Sequence, residues 1–237
     1  MQKLLSDIEQ LIARFPSIYR FLKRRKVQYQ RTKYKVFKLF GKDKDIIYNG
    51  SFFDKNLKMN MPIASRMVNV LVSHFNPKSV VDVGCGNAEF LSCFQKKGVE
   101  VKGYEGSAHA IARCVIDKRL VEKFDLRNHI DSNRTYDLAM CLEVAEHIEK
   151  IFSAKLVENL VGLSSIVVFT AAPPGQGGHF HINEQPREFW FNLFRSKGFE
   201  FDAGMTEKIK NDFKEKDVLW WYSANLMIFI KRNSSKH

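Results

Sequence analysis

The run Ser79-Val80-Val81-Asp82-Val83-Gly84-Cys85-Gly86-Asn87-Ala88-Glu89-Phe90 limits what this chain can fold into more than any other segment. Ser79 to Val83 is short and mainly β-branched, the pattern of a strand buried on both faces. Gly84-Cys85-Gly86-Asn87 reads as a turn into a helix, because glycine lets the backbone bend tightly and approach a ligand closely. About 20 residues beyond the glycines stands Glu105, in Val101-Lys102-Gly103-Tyr104-Glu105-Gly106. A carboxylate at that strand end can accept hydrogen bonds from ribose hydroxyls. An NAD or nucleotide-sugar site also suits the loop, although Ala88 stands where a strict dinucleotide fingerprint has its third glycine.

The rest of the chain repeats the unit. Strands are expected near 79–83, 99–104, 136–142, 165–170, 199–206 and 223–231, with a weak one near 121–125. Helices are expected near 62–75, 87–97, 107–118, 148–162 and 186–197. Alternating β and α segments imply an α/β fold, with a mainly parallel sheet covered by helices on both faces. The last two strands lie close together with no long helical pattern between them, so an antiparallel hairpin is expected at the sheet end.

Charge divides the chain into two parts. The net charge is +12, yet residues 1–45 hold 13 Lys/Arg against 4 Asp/Glu. The basic character belongs to an N-terminal extension, taken as residues 1–61, and residues 62–237 form the domain. In the extension, Leu4, Leu5, Ile8, Leu11, Ile12 and Phe15 recur at helical spacing, and Pro16 ends or kinks that helix. Residues 18–40 mix aromatic and basic side chains, and 41–45 read as a linker. The basic stretch has three readings: a solvated helical face that packs its apolar side on the domain, a surface for anionic lipid head groups or a phosphorylated, lipid-linked glycan, and a nucleic-acid contact. Cys85, Cys93, Cys114 and Cys141 form no C-x-x-C pair and read as reduced core residues. No run approaches the roughly 20 apolar residues of a membrane span. The expectation is a cytoplasmic protein, with peripheral contact at the inner membrane face left open.

Asp82-Val83-Gly84-Cys85-Gly86 followed by Glu105 resembles motifs I and II of class I S-adenosylmethionine (SAM)-dependent methyltransferases. The resemblance covers roughly residues 62–231. It implies a Rossmann-like, seven-stranded, mostly parallel sheet with the last strand antiparallel. It also implies that Asp82, Gly84, Cys85 and Gly86 cradle SAM, that Glu105 binds its ribose, and that Asp125 contacts the adenine amino group. The segment Cys141-Leu142-Glu143-Val144-Ala145-Glu146-His147 resembles the fourth strand and turn of the generic methyltransferase subgroup, and adds Glu143 to the cofactor set. The stretch from Ala171 to Pro186, with Trp190 and Trp220-Trp221-Tyr222, resembles bacterial methyltransferases of surface-polysaccharide and other glycan biosynthesis. That likeness implies a sugar or glycan-precursor acceptor.

Methylating a sugar hydroxyl calls for positioning and for help in removing a proton. His181, His147 and His179 are the catalytic candidates, with His181 first as general base; ordering its own loop is the competing role for that side chain. Gly175, Gly177 and Gly178 suggest a mobile loop beside them. Trp190, Trp220 and Trp221 read as core or pocket wall before sugar-stacking platforms. A second set, Glu143, Glu146, His147 and His181, resembles the Mg²⁺ site of small-RNA 2′-O-methyltransferases. Two carboxylates and two imidazoles can hold a divalent ion. A metal-assisted RNA ribose methyltransferase is therefore the alternative enzyme, and a non-catalytic methyltransferase-like binding subunit is the third reading.

Overall fold

A computed structural model describes residues 48–232 and, upstream of them, Arg25, Gln28, Tyr29 and Thr32. The helix expected over 3–15, the linker over 41–45 and most of the basic stretch lie outside the described residues.

Helix α1 spans Gly50–Phe75. Asn49 caps it by accepting the Phe52 N–H, and Asn76 closes it in the left-handed conformation just before Pro77. The helix expected over about 62–75 therefore starts further upstream and carries Pro62 inside it. Ile63, Ala64, Met67, Val68 and Leu71 fall on one face and are buried. That apolar stripe is what a surface helix must pack against a sheet.

The sheet holds β1 (Ser79–Val83), β2 (Glu100–Glu105), β3 (Val121–Lys123), β4 (Leu138–Leu142), β5 (Ile166–Thr170), β6 (Phe199–Phe201) and β7 (Met227–Lys231). Their spatial order is β3-β2-β1-β4-β5-β7-β6. Strands β1 to β5 pair in parallel, and β7 runs antiparallel to both β5 and β6. This is the expected Rossmann-like sheet with an antiparallel last strand.

Helices α2 (Glu89–Gln95), α3 (Ala108–Ala112), α4 (Ser153–Leu163) and α5 (Arg187–Ser196) follow β1, β2, β4 and β5. Two apolar clusters sandwich the sheet. One unites α1 and α2 with Val80, Leu138 and Ile228; the other unites α4 and α5 with Val81, Ala139 and Phe229.

The hairpin expected between the last two strands is absent. Helices α6 (Ala203–Glu215) and α7 (Trp220–Asn225) separate β6 from β7. The strand expected over 199–206 stops at Phe201 because Asp202 turns the chain, its carboxylate accepting the Met205 N–H at 2.8 Å. Thr206, Ile209 and Phe213 then recur at helical spacing and are buried. The antiparallel pairing survives; the short connection does not. Strand order reverses between β1 and β4, which opens a crevice at their carboxyl ends.

Candidate active site

A cavity of about 340 Å³ occupies that crevice. Its volume lies in the range of small-molecule sites. The glycine loop forms its floor. Gly84 N–H and Cys85 N–H both donate to the Tyr104 carbonyl, at 2.8 and 3.2 Å, which ties the loop to β2. Gly84 has φ +89°, and a Cβ there would lie 2.5 Å from Val144 Cγ2. Gly86 has φ +54° with open space beyond it. Ala88 also adopts a left-handed φ, of +62°, the conformation that favours glycine at its position.

Glu105 is set at the rim by backbone. Its two carboxylate oxygens accept Gly86 N–H at 2.9 Å and Ser107 N–H at 2.7 Å. Beyond β3, both oxygens of Asp125 accept from the Arg127 guanidinium at 2.6–3.1 Å. Asp125, Leu126 and Arg127 line the cavity together. Asp82 is buried below the loop, and its carboxyl is pushed well above the usual range by burial and by nearby Glu89 and Glu105. Cys85 is equally buried, and desolvation raises its thiol. It packs so close to Gly103 that a Cβ there would lie 2.6 Å from its sulfur. Cys85 shapes the loop and is no nucleophile at neutral pH.

At the other side stands Glu143, held in the left-handed region at φ +55°. Its N–H donates to Thr170 Oγ1 at 2.8 Å, and its carboxylate accepts Asn225 Nδ2–H at 3.0 Å. Burial raises its pKa. Two residues of β5 and α7 thus aim one carboxylate into the cavity.

The histidines separate. His147 lines the cavity, with Nδ1 3.0 Å from Tyr48 Oη and 3.3 Å from the Phe180 carbonyl. Burial pushes its imidazole down to about 3, so it is neutral across the physiological range. His181 does not line the cavity. It is buried behind His147, ring centroids 5.0 Å apart, with Nδ1 3.1 Å from Glu184. His179 is exposed and stacks on Phe52 at 5.0 Å. The first choice of general base, His181, is therefore placed away from the pocket wall, and its neighbours are those of a loop-ordering side chain.

Nor is the glycine-rich run loose. Glu184 accepts Gly175 N–H at 2.8 Å and Gly177 N–H at 2.7 Å. Burial would raise the Glu184 carboxyl, but the bonds from His181, Gly175 and Gly177 outweigh it and leave it low. Gly178 makes room for the His181 ring, since a Cβ there would come within 2.1 Å of it. Glu146 is fully buried. Its carbonyl accepts Ile182 and Asn183 N–H, its Oε1 accepts Ala172 N–H, and burial together with Glu143 holds it well above the carboxylate range.

Glu146, His147 and His181 each offer a ligand atom within 4.8 Å of the others. Glu143, the fourth member of the expected metal set, is not in that group among the described residues. Trp190 is wholly buried against Phe169, and Trp220 is 64% exposed. Trp221 and Tyr222 line the cavity. Tyr48, Asn60, Glu89, Arg127, Tyr222 and Asn225 were not singled out as site residues from sequence. Of these, Glu89 carried a signal: an acid opening the helix after a glycine turn.

Residues 59–162 match a family model described as "Methyltransferase domain". The match spans the glycine loop, Glu105, Asp125 and the Glu143–His147 turn. Three similar solved structures share 14–15% identity with the chain, which speaks to the fold. The plantazolicin methyltransferase BpumL in complex with a monoazolic desmethylPZN analog and SAH superposes with TM-score 0.59, at 14% identity over 90% of this chain and 100% of that one. The sugar N-methyltransferase KedS8 from Streptoalloteichus gives 0.61, at 15% identity over 78% and 94%. The magnesium protoporphyrin IX methyltransferase ChlM from Synechocystis PCC 6803, with bound SAH, gives 0.56 at 15% over 78% and 89%. No curated protein matches the chain at the level of sequence. No helix among the described residues is long and apolar enough to cross a membrane.

Proposed function

We propose that this methyltransferase domain uses SAM to O-methylate a hydroxyl of a sugar in a glycan or glycan precursor. The observation that carries the reading is one cavity with two chemically distinct ends. Glu105, Asp125 and Glu143 line one cavity with the glycine loop; in this reading Glu105 and Asp125 take the nucleoside's ribose and base, and Glu143 serves the acceptor. Bound SAM supplies a methyl group made electrophilic by its sulfonium. Glu105 holds the ribose hydroxyls, and the open space beyond Gly86 admits the cofactor close to the backbone.

Glu143 is the proton acceptor in this reading. It faces the cavity, it is fixed by Asn225 and Thr170, and burial raises its basicity towards the working pH. His147, kept neutral by burial, positions the acceptor and holds Tyr48 against the rim. Glu143→Gln keeps the shape and removes the base. It is expected to lower kcat on the order of 10²–10⁴-fold with SAH affinity little changed. In the parent enzyme kcat falls as pH drops through the raised Glu143 pKa. A kcat in the variant within a few-fold of the parent would dismiss Glu143 as the base.

The acceptor is tested by methyl transfer from labelled SAM to cell-extract fractions. Label in the glycan or lipid-linked sugar fraction is expected. Label confined to RNA would favour the second reading, metal-assisted ribose methylation, which the Glu146–His147–His181 group supports. EDTA separates the two: activity is lost with a metal site and retained without one. Under the glycan reading, the basic residues of 1–45 draw the enzyme towards anionic lipid head groups or a phosphorylated acceptor.

A further inference from the structure

The cavity has a polar corner that neither the nucleoside contacts nor Glu143 uses. It lies where α1 crosses the first turn of α2. Glu89 opens α2 and is only 6% exposed. Its Oε1 accepts Asn60 Nδ2–H, from α1, at 3.0 Å. Its Oε2 has no hydrogen-bond partner, and neither do Asn60 Oδ1 and Asn87 Oδ1. Asn87 is 2% exposed, and its amide is spent on the Phe53 carbonyl at 2.9 Å. All three residues line the cavity.

Buried acceptors without donors are costly, and a carboxylate more so than an amide. These three carry only acceptor atoms in want of a donor, and one of them is an acid. The matching group is a cation with several N–H bonds, which describes a primary ammonium. Burial raises the Glu89 carboxyl despite the bonds from its own backbone N–H and from Asn60, as expected of an acid without a cation beside it.

The position says which ammonium. In the SAM reading Glu105 takes the ribose and Asp125 the base. Of the residues lining the same cavity, that leaves the glycine loop and the start of α2, Glu89 among them, for the methionine tail. We propose that Glu89, supported by Asn60, binds the α-ammonium of the methionine tail of SAM. The inference rests on the SAM reading above and assigns the tail's polar contact to a side chain outside the glycine loop.

The test is calorimetry on the full chain with two ligands: SAH, and its deaminated analogue with hydrogen in place of the amino group. The parent protein is expected to bind SAH at least about tenfold tighter than the analogue. Glu89→Gln, nearly isosteric, is expected to weaken SAH by about 10- to 100-fold, the effect of losing a charge-assisted bond, and the analogue by less than about threefold. Asn60→Ala, which removes the half-buried side chain that supports Glu89, is expected to shift SAH in the same direction by a smaller factor, and it serves if Glu89→Gln does not fold. Equal losses for both ligands, or no preference for SAH in the parent, would overturn the assignment. A folded parent that binds neither ligand would overturn the SAM reading itself.

Discussion

Glu105 and Glu184 are built alike and used differently. Each is a carboxylate that accepts two backbone N–H groups from turns containing glycine. Glu105 is aimed at the cavity, on the rim of the glycine loop. Glu184 faces inward, where His181 takes a further share of it. One acid braces the rim of the cavity and the other braces a loop. Residue type and glycine content do not separate these roles; the direction of the side chain relative to the sheet edge does.

The largest expected effect that sharpens the comparison is at Gly84. Gly84→Ala puts a methyl against Val144 at a backbone angle that L-residues rarely adopt, and is expected to weaken SAH binding on the order of 100-fold or more. Calorimetry checks it. Unchanged binding would mean that the loop is not the cradle.

Next in size is Glu184→Ala, which leaves the Gly175 and Gly177 N–H groups without their acceptor. A loss of about 2 kcal/mol in stability is expected from denaturant unfolding, with SAH affinity within about twofold of the parent. A loss of affinity as large as that from Glu105→Ala would break the contrast between the two acids.

Smaller again is a change in acid sensitivity. His147 is neutral when folded, because burial takes its pKa down to about 3, with His181 adding to the shift and the Phe180 carbonyl opposing it. In the unfolded chain it titrates near ~6.5. Between those values the unfolded state binds the extra proton, so His147 costs stability progressively as pH falls from about 6.5 towards 3. His147→Asn is expected to flatten that limb of the stability–pH curve. An unaltered limb would show that the imidazole is not buried as described.

These contrasts also explain what could be read from sequence. The loop from Asp82 to Gly86 and its partner Glu105 were legible because their chemistry lies in backbone conformation and a fixed strand–helix spacing. The sheet and its antiparallel last strand were legible for the same reason. The connection before β7 was not, since Phe199-Glu200-Phe201 alternates as a strand would and the reversal rests on one capping residue, Asp202. The histidines were legible as a group but not in orientation. Which of His147 and His181 meets the cavity depends on Glu184, Gly178 and Tyr48, and Tyr48 is 99 residues from His147. Asn225 was hidden likewise, because only the fold brings α7 to Glu143.

In the proposed function the glycine loop and Glu105 bind SAM together. Calorimetric titration of the full chain with SAH, in the parent and in Glu105→Ala, tests it most directly. One SAH per chain is predicted for the parent, with affinity at least about tenfold weaker in the variant. No binding by the folded parent, or equal binding by both proteins, would overturn that assignment.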